Sequence, residues 1–170
     1  MIGKKSSGKT RVVTYLIEKL CRKYRILAIK HVNEPNFEID IPGKDSWKMK
    51  KAGATTVSIV SKRKIAIISD IQNINLSEFI NDIMSIVNTS YDLVILEGFS
   101  RIIGRRQDVH KLVVARDKND AEEILSKISP PVMGIITRKP FSSSYNVITF
   151  DKLDNLATKI EAMIKEPGDQ

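Results

Sequence analysis

Near the start of the chain, Gly3-Lys4-Lys5-Ser6-Ser7-Gly8-Lys9-Thr10 matches the phosphate-loop pattern G-x-x-x-x-G-K-S/T. Each place has a chemical reason. The glycines permit positive φ and close backbone approach, so that successive N–H groups can wrap a phosphate. A helix beginning at Lys9 would aim its positive end at the same anion. Lys9 is placed to reach β- and γ-phosphates, and the Thr10 hydroxyl to join the shell of a Mg²⁺ ion. Lys4 stands where one large subgroup of phosphate-loop proteins has a second lysine, and Lys5, Ser6 and Ser7 complete the cradle. Placed directly before a long amphipathic pattern, the octapeptide reads as a nucleotide site.

Such a site also needs an acid at the end of a buried strand. Asp92-Leu93-Val94-Ile95-Leu96-Glu97-Gly98 supplies Glu97 at the carboxyl end, where ligands gather in open α/β sheets, followed by Gly98. Asp92 lies at the other end, roughly 15 Å away at the usual rise per residue, and is the poorer Mg²⁺ candidate. A second loop follows the apolar run Ile26 to Ile29 and should overhang the same edge. In it, Asp40 and Asp45 are candidates to ligate metal or position water near the γ-phosphate. Lys30, His31 and Lys44 could neutralise phosphates or hold an anionic second substrate. An ordinary polar loop explains these five residues equally well.

The elements that must position these groups follow from periodicity. Val13, Leu16, Ile17, Leu20, Cys21 and Tyr24 predict a helix from Lys9 to Tyr24. After the strand at 26–29 comes a loop with Pro35, Pro42 and Gly43, then a short helix capped by Ser46 and ending near Gly53. Thr56 to Val60 and Ile65 to Ser69 read as a hairpin around Ser61-Lys62-Arg63-Lys64. Asn75 with Glu78 resembles a capping box ahead of a helix carrying Leu76, Phe79, Ile80, Ile83, Met84 and Val87. Leu93 to Leu96 is a strand buried on both faces. A polar basic stretch from Ser100 to Lys111 precedes strand Leu112 to Ala115. Asp120 is expected to cap a helix running through Ile128. Strand Val132 to Thr137, strand Val147 to Phe150 and helix Asp154 to Ile164 complete the pattern.

This alternation predicts an α/β fold of the P-loop NTPase type, with a mostly parallel central sheet flanked by helices and a short β-hairpin insertion. Residues 1–170 are expected to form one nucleotide-binding domain. The strand that normally leads into a phosphate loop is missing, because only Met1 and Ile2 precede Gly3 and a strand needs about five residues. An upstream start, a truncation or another segment in that slot would account for it; the expectation is a start codon assigned too late.

Composition narrows the partner. With 28 Lys and Arg against 20 Asp and Glu, the 170 residues carry a formal charge of +8. Residues 1–64 hold sixteen of the basic residues and five of the acidic ones, so the excess sits around the candidate site. One cysteine and two histidines are too few for a zinc cluster or a metal-loading tract. No apolar run reaches the roughly 18 residues of a membrane span, and no signal sequence is present, so a soluble cytoplasmic protein is expected. Nucleic acid is an unfavoured partner, since no basic patch is interleaved with aromatics.

Together these segments resemble the MobB family, the GTP-binding adapter proteins of molybdopterin guanine dinucleotide biosynthesis. The resemblance rests on GKKSSGKT, IKHVNEPNFEIDIPGKDSWKMKKAGA and YDLVILEGFS, in that order, and covers roughly residues 3–115. It implies a dimeric P-loop protein binding GTP and Mg²⁺ with weak GTPase activity. The implied partner is the enzyme that attaches GMP to molybdopterin. Carried onto matching positions, Gly3 to Thr10 bind phosphate, with Lys9 and Thr10 central. Asp40, Gly43, Lys44, Asp45 and Ser46 line the neighbouring loop, and Glu97 and Gly98 form the strand-end site. Guanine preference comes from the resemblance alone, because Arg138-Lys139-Pro140 stands where many GTPases carry N-K-x-D. A small-molecule kinase is the alternative, with Arg101, Arg105 and Arg106 as a lid.

Overall fold

The structure, a computed structural model, describes residues 1–34, 36–70 and 75–165. Pro35 of the expected loop lies outside them. Contacts divide the chain into two compact units, one built from Met1–His31 and the described residues from Ser90 onward, the other from Val32–Thr89.

The first unit is an α/β layer structure whose paired strands are all parallel. Helix α1 (Lys9–Leu20) leads into β1 (Ile26–Lys30). After the second unit come β4 (Leu93–Glu97), the short α4 (Ser100–Ile103), β5 (Lys111–Val114), α5 (Lys118–Leu125), β6 (Val132–Thr137), β7 (Val147–Thr149) and α6 (Leu153–Lys165). Strand β1 pairs with β4, and β5, β6 and β7 pair in that order.

The slot between β4 and β5 is held by the first two residues. Ile2 bridges in parallel to Val113, donating to Leu112 O at 2.9 Å and accepting from Val114 N at 2.7 Å. On the other side the Met1 amino group donates to Leu96 O at 2.7 Å. Thus two residues join the two strand groups and deliver Gly3 to the carboxyl ends of the strands.

Apolar periodicity builds the core on one side of this sheet. Val12, Val13, Leu16 and Leu20 of α1 and Leu153, Leu156, Ala157 and Ile160 of α6 cluster with Ile95, Leu112, Val114, Ile136 and Ile148. Val113 and Ile135 are fully buried yet outside this cluster, as the two-residue period of a strand requires. Helix α5 packs on β5.

The second unit holds α2 (Asp45–Lys51), β2 (Thr56–Val60), β3 (Ile65–Ser69) and α3 (Leu76–Val87). Strands β2 and β3 form the expected antiparallel hairpin, with Val60 opposite Ile65. Ser61 shapes its turn, the hydroxyl accepting from Lys64 N at 2.9 Å and Arg63 N at 3.3 Å.

Several local expectations are corrected. Helix α1 stops at Leu20, four residues early, and a turn bonds Tyr24 N to Leu20 O. Asn75 does cap α3, accepting from Ser77 N and Glu78 N. The cap of α2 is Lys44 and not Ser46, and the cap of α5 is Asp117, whose carboxylate accepts from Asp120 N at 2.8 Å. Asp120 lies inside the first turn of α5, where Arg116 and Lys4 claim its oxygens instead. The polar basic stretch after β4, for which the sequence predicts no element, begins as the short helix α4.

Candidate functional site

Residues Gly3 to Thr10 leave the bridge at Ile2, turn through left-handed conformations at Ser6 (φ 62°) and Gly8 (φ 100°), and enter α1. Glycine is needed at both ends. A Cβ at Gly3 would lie 2.3 Å from Val114 O, and one at Gly8 would lie 2.8 Å from Phe150 Cζ. Helix α1 carries neither a side-chain cap nor an acidic residue in its first turn. Its orphan N–H groups and positive dipole end therefore stay available to an anion. Helices α3 and α5 spend theirs on Asn75 and Asp117.

Three polar groups converge here. Lys9 Nζ folds over the loop and donates to the carbonyls of Gly3 (2.8 Å) and Lys4 (2.7 Å). Burial holds its pKa below the usual lysine range, with Glu97 opposing that shift and Lys30 adding to it. The Thr10 hydroxyl donates to Glu97 Oε1 at 3.0 Å, joining the start of α1 to the end of β4 across 87 residues. Ser7 Oγ is buried with no hydrogen-bond partner among the described residues. A buried hydroxyl without a partner, beside a glycine-walled turn, is a donor and acceptor awaiting a polar ligand.

Lys30 and Glu97 are register partners on β1 and β4, and His31 N donates to Glu97 O at 2.8 Å. Gly98 (φ 89°) lets β4 turn beneath His31: a Cβ there would meet His31 O at 2.8 Å. The His31 ring lies against Phe99, 5.1 Å between centroids. Asp92 sits at the far end of β4, accepting from Arg25 N at 2.7 Å.

Lys4 behaves differently from Lys9. Its ammonium is held by Asp120 (3.0 Å) and Glu123 (2.5 Å) of α5, while its carbonyl serves Lys9. Asp120 is buried and also takes Arg116 Nε at 3.1 Å, and that guanidinium holds its carboxyl far below the usual range. Sequence reading missed this anchor, although Arg116 and Asp120 stand at the i,i+4 spacing of a helical ion pair. Lys5 and Ser6 are exposed on the loop. Burial lowers the Met1 amino group to about 6.

Asp40, Gly43, Lys44 and Asp45 all belong to the second unit. Asp40 Oδ1 accepts from Ile41 N at 2.8 Å, and its Oδ2 is buried with no hydrogen-bond partner among the described residues. Gly43 turns at φ 87°, Lys44 caps α2, and the exposed Asp45 pairs with Lys48 at 3.5 Å.

A glycine-rich turn from a central sheet position into an uncapped helix, with a threonine–glutamate pair at the next strand end, defines an α/β fold of the P-loop NTPase type. Within that class the chain belongs to the MobB family: the family model described as "Molybdopterin guanine dinucleotide synthesis protein B" matches residues 1–138. Two relatives carry the name "Molybdopterin-guanine dinucleotide biosynthesis adapter protein". The one from Haemophilus influenzae is 28% identical over 160 residues, covering 94% of this chain and 84% of its own. The one from Escherichia coli is 28% identical over 169 residues, covering 95% and 90%. The crystal structure of Bacillus subtilis MobB shares the fold, with a TM-score of 0.73 at 19% identity over 94% of this chain and 93% of its own. A MobB homologue from Bacillus stearothermophilus gives 0.69 at 16% identity, over 96% and 94%. Among the described residues no helix is long and apolar enough to cross a membrane.

Proposed function

We propose that this MobB-family chain is a GTP-binding adapter protein of molybdopterin guanine dinucleotide synthesis, with slow Mg²⁺-dependent GTPase activity. The observation that carries the reading is the Thr10–Glu97 pair at 3.0 Å beside the Lys9 ammonium and the orphan Ser7 hydroxyl. Lys9 would exchange two loop carbonyls for phosphate oxygens, and the N–H groups of Gly8, Lys9 and Thr10 would bind the same anion. Thr10 and Glu97 fit Mg²⁺: a hydroxyl and a carboxylate are hard oxygen donors, and the ion keeps several waters and phosphate oxygens in such sites. Bound there, it would neutralise charge on the phosphates. Lys30, His31 and Gly98 are proposed as the supporting residues of the nucleotide site. With no glutamine or arginine supplied in a defined catalytic motif, turnover should fall near ~10⁻⁴ to 10⁻² per second.

One further feature supports an adapter. Both faces of the β2–β3 hairpin show exposed apolar side chains, Ile59 on one and Val60, Ile65 and Ile67 on the other. A two-stranded hairpin is marginal alone and gains stability by being covered, which fits a homodimer. The proposed partner is the enzyme that joins GMP to molybdopterin, and the proposed compartment is the cytoplasm.

Calorimetry with GTP and with ATP in Mg²⁺ tests the reading, first alone and then with that enzyme present. Lys9→Ala removes a charged hydrogen bond worth about 1.5–3 kcal/mol, so GTP affinity should fall roughly tenfold to 150-fold. Unchanged affinity in Lys9→Ala, or tighter ATP than GTP binding, counts against it.

A further inference from the structure

A cavity of about 390 Å³ opens between the start of the phosphate loop, α4 and α5. Of the phosphate loop only Gly3 and Lys4 line it, while Lys9, Thr10 and Glu97 do not. Its volume lies in the range of small-ligand pockets. Four cations surround it, Lys4, Arg101, Arg105 and Lys127, against a single carboxylate, Glu123.

That carboxylate is already shared. Glu123 accepts from Lys4 Nζ at 2.5 Å and from Lys127 Nζ at 2.6 Å. Arg101 and Arg105 make no ion pair among the described residues, although both line the same hollow. Arg106, the third arginine of this stretch, is bound to Asp108. Two unpaired guanidiniums in one concavity raise a positive potential that only an anion relieves, and their forked donors match a phosphate's oxygens.

Apart from Ser100, the rest of the lining is apolar side chain or glycine. Ile2 and Ile124 are buried, and Ile128 closes the floor. The α4 turn presents bare backbone there: a Cβ at Gly104 would lie 3.4 Å from Ile128 Cγ2 and 2.5 Å from Ser100 O. A cationic rim over an apolar floor suits a molecule with a charged end and an uncharged body. A bare anion would leave the floor unused.

We propose that this cavity is a second ligand site that takes an organic phosphomonoester, with the phosphate clasped by Arg101 and Arg105 and the uncharged body resting on Ile124 and Ile128. The site is distinct from the nucleotide assignment, since it shares only Gly3 and Lys4 with the loop and its phosphate clasp lies on α4 and the turn after it.

The probe is phenyl phosphate, followed by calorimetry and by amide shifts of the ¹⁵N-labelled full chain. It is run on wild type, Lys9→Ala and the double variant Arg101→Gln/Arg105→Gln, whose folding is checked by circular dichroism. Phenyl phosphate should bind wild type and Lys9→Ala alike, shift the amides of Gly104 and Ile128, and weaken by about tenfold or more in the double variant. Inorganic phosphate should bind this site about tenfold more weakly, because it cannot cover the floor. Loss of binding in Lys9→Ala with full retention in the double variant would place the probe in the phosphate loop and overturn the proposal. Equal affinity for inorganic phosphate would overturn it too. So would sedimentation with phosphatidic acid vesicles without binding of phenyl phosphate, since the anion would then be read at a lipid surface.

Discussion

Replacing Gly8 by alanine strains the one residue on which the phosphate loop turns into α1. Gly8 has φ 100° and ψ 14°, beyond the narrow left-handed region that alanine tolerates at a cost of about 1–2 kcal/mol. The added methyl would also sit 2.8 Å from Phe150 Cζ and 3.2 Å from Cε1, inside the 3.4 Å at which ordinary contact begins. Phe150 is not free to swing away without loss, since Arg11 stacks on its ring at 5.0 Å from the centroid and the ring packs against the core. Overpacking of this kind adds about 1–3 kcal/mol. The two effects together predict a loss of about 2–5 kcal/mol, or roughly 4–20 °C in Tm for a chain of this size. Thermal unfolding followed by circular dichroism reads it directly. A cycle with Phe150→Ala separates the terms: in that background the clash is relieved, and only the backbone cost of about 1–2 kcal/mol should remain. A Gly8→Ala loss below about 0.5 kcal/mol would refute the strain argument. Strict additivity across the cycle would refute the contact with Phe150.

Three other perturbations report on neighbouring features. Glu97→Gln keeps an acceptor for the Thr10 hydroxyl but removes the charge, so the Mg²⁺ concentration needed for half-maximal GTP binding should rise about tenfold with the fold intact; a Mg²⁺ titration showing no change would dismiss Glu97 as a metal residue. Asp120 has its pKa depressed mainly by Arg116, so its stabilisation is complete above the unfolded carboxylate value near 4 and is lost as pH falls below it. Asp120→Asn should therefore flatten the fall in Tm between about pH 4 and 2.5, and an unaltered acid slope would contradict this. Lys111 is fully buried, and its ammonium donates to the carbonyls of Arg106, Val109 and Pro130, so Lys111→Met should cost about 2–4 kcal/mol by leaving those acceptors unpaired. Urea unfolding with a midpoint like wild type would show that burying a methionine offsets that loss.

Local chemistry was legible wherever one segment contains its own cause. The octapeptide from Gly3 to Thr10 carries the glycines, lysine and hydroxyl that a phosphate turn requires, and α1 begins at Lys9 as its apolar spacing demands. The hairpin has the expected limits because alternation and the turn at Ser61 lie within fourteen residues. Glu97 at the end of an apolar run was readable for the same reason. Asp117 displaced Asp120 as the cap of α5 because the choice between two nearby carboxylates depends on which one Arg116 and Lys4 reach first.

Everything carried by long side chains or by chain ends needed the tertiary structure. Lys4 and Lys9 are five residues apart in one loop, yet one is drawn to α5 and the other folds over the turn. Nothing in their spacing separates them; what does is the position of Asp120 and Glu123, more than a hundred residues away. The use of Met1 and Ile2 to bridge β4 and β5 is likewise a matter of which strand edges come together. Sequence alone determined that this chain carries a phosphate loop, an acid-ended strand and the residues of its family. Packing decided which cations fold over the phosphate loop and which face the cavity beside it, because a flexible ammonium takes the nearest acceptor that folding brings within reach.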